Sequence, residues 1–317
     1  MARRRLDARA RDLVAGALSA ERLYPGSVQE VAATTFQASD PREGTETVRL
    51  QSTRGFGRVL APRELWRFRD VARQLAARDI TVRYRQTALG AAWAILQPVG
   101  TMIVFSIFFG HLAGLSSDGV SYPLFSLAAL VPWTFFANAL VLGSDSLVSN
   151  SALVSKIYFP RIFIPAGVIF AGLVDLGIGL LVLLAVALAT GLTPSVAILL
   201  LPLFALIMVA AAFGVTSAFA AINVRYRDVR YIVPFVVQLW LFATPVAYSS
   251  SLLGSPWRTL SGINPMVGVV EGFRWAVLDT PNSPWAVVGV SAASAVLLLG
   301  GGLAYFDRVE RRFADVL

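Results

Sequence analysis

The sequence predicts an all-α integral membrane protein with six transmembrane helices. It adds an amphipathic interface helix on the N-terminal side and two short re-entrant outer helices before the last span. Three observations carry this. First, 56% of the 317 residues are hydrophobic and the mean hydropathy is +0.67. Only 15% are charged, against roughly 25% in a soluble domain. That is too little polar surface to wrap a water-soluble globule of this length. Second, six segments are apolar over about the 20 residues that a bilayer core requires. Third, the cations cluster in alternate gaps between those segments.

Residues 1–61 come first. They hold 10 Arg against 7 Asp and Glu, with frequent Pro, Gly, Ser and Thr ("YPGS", "DPREGTET"). Such a composition buries too little apolar surface to fold alone and is expected to be a largely disordered cytoplasmic arm. A membrane-surface or partner-binding arm is the other reading. The start "MARRRLDARARDLVAGAL" has no apolar core of signal-peptide length after its arginines, so a cytosolic N-terminus is expected.

Residues 62–79, "PRELWRFRDVARQLAARD", have helical spacing. Pro62 suits a first helical position. Leu65, Phe68, Val71, Ala72, Leu75 and Ala76 share one arc at 100° per residue, and the arginines fall mostly on the other. A helix with one basic and one apolar face lies in the membrane interface plane.

The spans are expected at about 88–113, 121–149, 164–190, 194–222, 231–248 and 284–306. The only charge well inside one is Asp175. If the N-terminus is cytoplasmic, the inner gaps 62–87, 150–163, 223–230 and 307–317 hold 15 Lys or Arg. The outer gaps hold only Arg258 and Arg274. The positive-inside rule therefore puts both termini inside. Residues 249–283 are too polar to span, yet rich in Trp, Leu, Val and Phe. Helical spacing over 266–278, with Asn264 as N-cap and Pro265 after it, fits a short helix dipping into the outer leaflet. Non-helical backbone at that depth has to be buried in protein or line a water-filled cavity, which points to the mouth of a pathway.

Several chemistries are excluded. Cys is absent, so there is no disulfide or thiolate. One His, His111, rules out His-rich metal sites. The only Lys, Lys156, follows Ser155 and not Gly, so no Walker A motif exists. One central Asp is thin support for a proton-driven carrier, which displays chains of intramembrane acids. Work done by this chain is either passive or powered by a partner.

Five stretches resemble, in order and spacing, the permease subunits of polysaccharide ATP-binding-cassette exporters: "RELWRFRDVARQLAARDITVRYRQTALGAAWAILQP", "LVSKIYFPRIFIP", "LVDLGIG", "NVRYRDVRYIVPFVVQLWLFATPVAY" and "INPMVGVVEGFRWAVL". These are the O-antigen, capsule and teichoic-acid exporters of the bacterial plasma membrane. The resemblance covers about residues 45–310. It implies a transport subunit that is no enzyme itself and binds no cofactor. ATP and magnesium would sit on two copies of a separate cytosolic ATPase, and the chain would pair with a second copy of itself. The cargo would be a lipid-linked glycan, with membrane lipids around it and no nucleic acid.

Candidate sites follow from the residues and the resemblance together. Ser155, Lys156, Ile157, Tyr158, Phe159 and Arg161 would seat on the ATPase; an interfacial anchor is the other reading. Arg78, Arg83, Tyr84 and Arg85 would admit the lipid diphosphate, since Arg matches phosphate with a planar fork; positive-inside anchoring accounts for them equally. Arg225, Arg227 and Arg230 read as topogenic. Span aromatics can stack on sugar rings or simply pack. Trp133, Phe136, Asn138, Gln238, Trp240 and Tyr248 are the channel-lining candidates. Asn264, Glu271, Arg274 and Trp275 would form an outer gate, with Glu271 and Arg274 paired one helical turn apart. Asp175 is expected to be a structural partner of a hydroxyl or an Arg. An exporter of drugs or small lipids, or a polyprenyl-phosphate-dependent transferase, are the alternatives.

Overall fold

The computed structural model describes residues 69–85, 92–156, 159–193, 195–281, 283–310 and 313. The N-terminal arm 1–61 lies outside them. Among the described residues the chain is helical, with no strand.

Helix α1 (Arg69–Arg85) is longer at its C-terminal end than the interface helix expected at 62–79. Residues 62–68 lie outside the described part. No Gly or Pro interrupts the chain between Asp79 and Arg85, and the Thr81 hydroxyl bonds back to the Ala77 carbonyl within the helix. Leu75 is buried, and Val71 and Ala72 pack beside it.

The first candidate span is α2 (Ala92–Phe105), continued by a π-helical segment, Ser106–Leu112. Residues 86–91 lie outside the described part. The bond from the Ala113 N–H to the Phe108 carbonyl closes the wider turn. The second span, α3 (Tyr122–Ser149), is the central helix; Phe125, Phe136, Leu140 and Leu147 on it are fully buried. Short α4 (Ser151–Lys156) follows. Then come α5 (Phe163–Ala189) and, after a 3-10 turn at Val196–Leu200, α6 (Leu201–Arg225).

Helix α7 (Val229–Ala243) has 15 residues, fewer than the expected 231–248. The reason is Pro245. It cannot donate a helical bond, and it forces Thr244 out of the helical region, to φ −106° and ψ 135°. Among the described residues, five helices are long and apolar enough to cross a membrane by length and composition, and α7 is a shorter apolar helix beside them. Residues 244–249 become a non-helical turn. The four-residue α8 (Trp257–Leu260) and then α9 (Pro265–Leu278) come next. Asn264 caps α9, its side-chain oxygen accepting from the Met266 N–H at 3.1 Å. The last helix is α10 (Trp285–Glu310).

Water does not drive helices together within lipid, so close packing and polar contacts must do it. The tightest place is between α6 and α10. A Cβ on Gly302 would stand 1.9 Å from the Gly214 carbonyl oxygen, and one on Gly214 would stand 2.3 Å from the Leu298 carbonyl oxygen. Only glycine lets the two backbones touch there. A large cluster joins α3, α5, α6, α7, α9 and α10. A smaller one at the other end joins α1, Val154, Phe159, Ile162, Phe306 and Phe313.

Candidate functional site

The segment after α7 is held by one arginine. Arg274, on α9, is only 4% exposed. Its guanidinium donates to the carbonyls of Phe125 (3.2 Å), Pro245 (2.6 Å), Val246 (2.8 Å) and Tyr248 (3.3 Å). It also lies over the Phe125 ring at 3.5 Å. The carbonyls freed by the Pro245 break thus find their donors in a single planar fork. Burial lowers the Arg274 pKa, opposed by Glu271, Asp118 and Tyr122.

Glu271 is not paired with Arg274, contrary to the sequence expectation. Its Oε2 accepts from Arg258 of α8 at 3.0 Å, and Arg258 also donates to the Ser250 hydroxyl at 3.2 Å. Four of the five Arg274 N–H donors are committed to carbonyls instead. Burial raises the Glu271 carboxyl; Arg258 pulls it down, and its second oxygen, Oε1, is buried without a partner. Asp118, from the loop between α2 and α3, accepts from the Ser249 hydroxyl at 2.5 Å and the Ser251 hydroxyl at 2.8 Å. Trp275 is half-buried against Trp285, ring centroids 5.7 Å apart. Asn264 ties this segment to α7. It accepts from the Trp240 indole N–H at 3.0 Å and donates to the Thr244 hydroxyl at 2.9 Å.

Sequence reasoning missed Asp118, Ser249, Ser251 and Arg258. The only available hint was that Arg258 and Arg274 are the sole outer cations. Nothing in the linear pattern pairs them with these partners.

The channel-lining candidates divide. Trp133 and Phe136 are buried within the subunit, and Phe136 makes an edge-on contact with Trp240 at 5.2 Å. Gln238 is exposed on α7. Tyr248 is half-buried, its hydroxyl bonded to the Phe242 carbonyl at 3.2 Å. Asn138 lines a cavity of about 250 Å³ between α1, α2, α3 and α5. Tyr84 and Asp175 line it too, and the Tyr84 hydroxyl donates to Asp175. Asp175 therefore has a hydroxyl partner, as the sequence suggested. Arg78, at 3.0 Å, is paired with Asp79. The side chains of Arg83 and Arg85 lie outside the described part of the structure.

At the other end, Phe159 is covered by its own subunit and 5% exposed. The Arg161 N–H donates to Glu310 Oε1 at 3.1 Å, and its guanidinium to the Glu310 carbonyl at 3.0 Å, with Phe313 beneath it at 5.7 Å. The segment after α4 is thus clasped by the end of α10. Ile157 and Tyr158 lie outside the described residues, as do the side chains of Ser155 and Lys156. Nearby, Asp145 is bound by Arg230 at 3.1 Å, by Asn223 at 3.3 Å and by the Ser149 hydroxyl at 2.6 Å. Arg230 thus has a definite structural role beyond its charge.

Comparison with known proteins places this arrangement. The "O-antigen export system permease protein RfbA" of Myxococcus xanthus is 28% identical over 255 residues, covering 80% of this chain and 97% of the relative. The protein of the same description from Klebsiella pneumoniae is 25% identical, covering 78% and 95%. The "Polysialic acid transport protein KpsM" of Escherichia coli is 22% identical, covering 74% and 92%. The family described as "ABC-2 type transporter" matches residues 71–278, from α1 to the last residue of α9. That stretch takes in the cavity and the arginine-held outer segment, and the chain belongs to the ABC-2 type transporter family.

Proposed function

We propose that this chain is the membrane subunit of an ATP-driven exporter that moves a lipid-linked polysaccharide from the cytoplasm across a bacterial plasma membrane. The cargo class is an O-antigen, capsule, teichoic-acid or galactan-like cell-wall glycan. The observation that carries the reading is the near-complete coverage of relatives named for O-antigen export, 97% of one of them. In this reading six helices span the membrane, the sixth being the short α7 lengthened by the turn after it, and α8 and α9 re-enter from the outer side. Both termini are cytoplasmic, as the Arg distribution supports. Two copies of the chain enclose the pathway, and two copies of a cytosolic ATPase supply the work, with ATP and magnesium bound there.

The inner clasp around Phe159 and Arg161 is the segment placed to receive motion from the ATPase. A push on it reaches α10 directly through Glu310. The lipid diphosphate is admitted near α1, where Arg83 and Arg85 supply charge and Arg78 is already engaged with Asp79. At the far end, release of Glu271 from Arg258 would free α8 from α9 and open the outer segment.

Co-expression with the ATPase encoded beside this chain, followed by extraction in mild detergent, tests the reading. A two-plus-two complex with ATPase activity, and delivery of glycan to the outer face in cells, is the expected result. Turnover of a polyprenyl-phosphate substrate by the purified chain alone would replace it with the transferase reading. An assembled complex whose transport needs no lipid-linked glycan would favour small-molecule export; one relative at 27% identity is named only "Inner membrane transport permease YadH".

A further inference from the structure

The two halves of α10 are held by different neighbours. Val288 and Ala295 of its first half sit in the large cluster. The Ser291 hydroxyl donates to the Gly262 carbonyl at 3.1 Å and accepts from the Gly268 N–H at 3.0 Å, and the Ser294 hydroxyl donates to the Ile263 carbonyl at 2.6 Å. That half is thereby fixed to the segment leading into α9. Leu303 and Phe306 of the second half sit in the smaller cluster. Phe306 meets Phe313 edge-on at 5.6 Å, and Glu310 holds Arg161. Between the halves stand three consecutive glycines, Gly300, Gly301 and Gly302.

Glycine in a helix interior is less favourable than alanine, because it gives up more backbone freedom on folding. Gly302 has a steric reason to be there, its contact with Gly214. Gly300 and Gly301 have none within the chain: both are exposed, and an added Cβ on either meets nothing within 4 Å. Glycines are among the few causes of sharp helix bends. The neighbouring helices are locked at the same level. Thr216 lies two residues beyond Gly214 on α6. A Cβ on Gly143 of α3 would stand 2.3 Å from the Thr216 methyl, and the Thr216 hydroxyl donates to the Ala139 carbonyl at 3.2 Å. A fixed frame of α3 and α6 therefore stands beside a helix that can bend.

We propose that α10 is hinged at residues 300–302, so that its second half swings with the clasp around Arg161 while its first half stays with the segment leading into α9. The proposal rests on the exporter reading for the force on the clasp. Glu310 is eight residues beyond Gly302, about 12 Å along the helix. A kink of ~20° at the glycines displaces that end by about 4 Å. The two ends of the bundle then move in turn and not together, which keeps a pathway from standing open through the whole membrane.

The chain has no Cys, so labels can be introduced without removing a native thiol. The test uses the complete exporter complex in nanodiscs, with labelled chain diluted by unlabelled chain. One spin-label pair joins the second half of α10 to the end of α6, through Arg308→Cys and Tyr226→Cys. Another joins the first half to α6, through Ala293→Cys and Leu206→Cys. All four positions are exposed. Distances are read without nucleotide and with ATP and vanadate. The first pair should shift by about 4 Å and the second by less than half as much. Gly300→Ala/Gly301→Ala, which stiffens the helix, should abolish the difference between the pairs. It should also lower glycan export in cells roughly fivefold or more, with the melting point and co-elution with the ATPase kept. Equal shifts at both pairs make α10 a rigid rod and overturn the hinge. So does no shift at either pair, or wild-type export in the alanine variant. Loss of assembly in that variant assigns the glycines to contact with the second copy and overturns it too. If the wild-type complex hydrolyses ATP yet delivers no glycan, the exporter reading falls alone and the label pairs still decide the hinge.

Discussion

Arg274 and Phe125 meet face to ring, the guanidinium carbon 3.5 Å above the centroid, while the same guanidinium donates to the Phe125 carbonyl. One side chain thus joins α9 to the first turns of α3 and to the turn after α7. Arg274→Ala would leave four carbonyls without this donor. The expected cost is on the order of 3–5 kcal/mol, seen as a fall of roughly 10 °C in the melting point of the detergent-solubilised chain. Arg274→Lys should recover only part of it, since an ammonium lacks the planar fork. Equal melting points for wild type and Arg274→Ala would refute the assignment.

Glu271 makes the outer segment sensitive to pH. Its carboxyl is raised above 4.5 by burial, with Arg258 and then Arg274 opposing and Asp118 assisting. A raised folded value means the folded state holds its proton longer than the unfolded chain. The stability this confers is full below 4.5 and is lost as pH climbs through the raised value. Melting points taken from pH 4.5 upward should decline on this account, and Glu271→Gln should flatten the curve. A wild-type profile unchanged by Glu271→Gln sinks the idea.

The contact between Gly214 and Gly302 makes a steric prediction. Gly302→Ala puts a methyl into a carbonyl oxygen and should force α6 from α10, at about 1–3 kcal/mol or more. Gly300→Ala, with nothing within 4 Å of its added carbon, should be neutral or slightly stabilising. Monodisperse yield after extraction separates the two. Similar yields would show that the helices are not in contact there.

The clasp at the inner end separates folding from coupling. Arg161→Ala removes a bond to the Glu310 carbonyl and the contact with Phe313. Glu310→Gln keeps an acceptor for the Arg161 N–H. Arg161→Ala should lower glycan export severalfold with the complex still assembled, and Glu310→Gln should lower it much less. Export at the wild-type level in Arg161→Ala would count against motion passing through this clasp.

The helices α3, α5 and α10 begin and end within four residues of the apolar runs in the sequence, whereas α6 begins at Leu201, seven residues after 194, because the 3-10 turn Val196–Leu200 precedes it. The Asn264 cap was also legible, being local chemistry over three residues. The end of α7 was not, although Pro245 was in view. In "LFATPVAY" the apolar pattern runs on past the proline, and only the waiting Arg274 makes a broken helix tolerable. The pairing of Glu271 was misread for a related reason. Spacing of three on a helix suggests a partner, but here both side chains are claimed by other segments. Tyr84 with Asp175, and Asp118 with Ser249, are 91 and 131 residues apart. No periodicity encodes such pairs.

The π-helical stretch Ser106–Leu112 gives the first span a reserve of length. Seven residues in α geometry would rise about 10.5 Å; in the wider turn they rise less. Rewinding that stretch into α geometry would lengthen the span and rotate its lower part about its own axis, carrying Trp93 and Gln97 with it. The outer polar lattice would stay intact, because α2 contributes none of the side chains that bind Arg274 or Glu271. A single helix could then act as a screw set in a fixed frame.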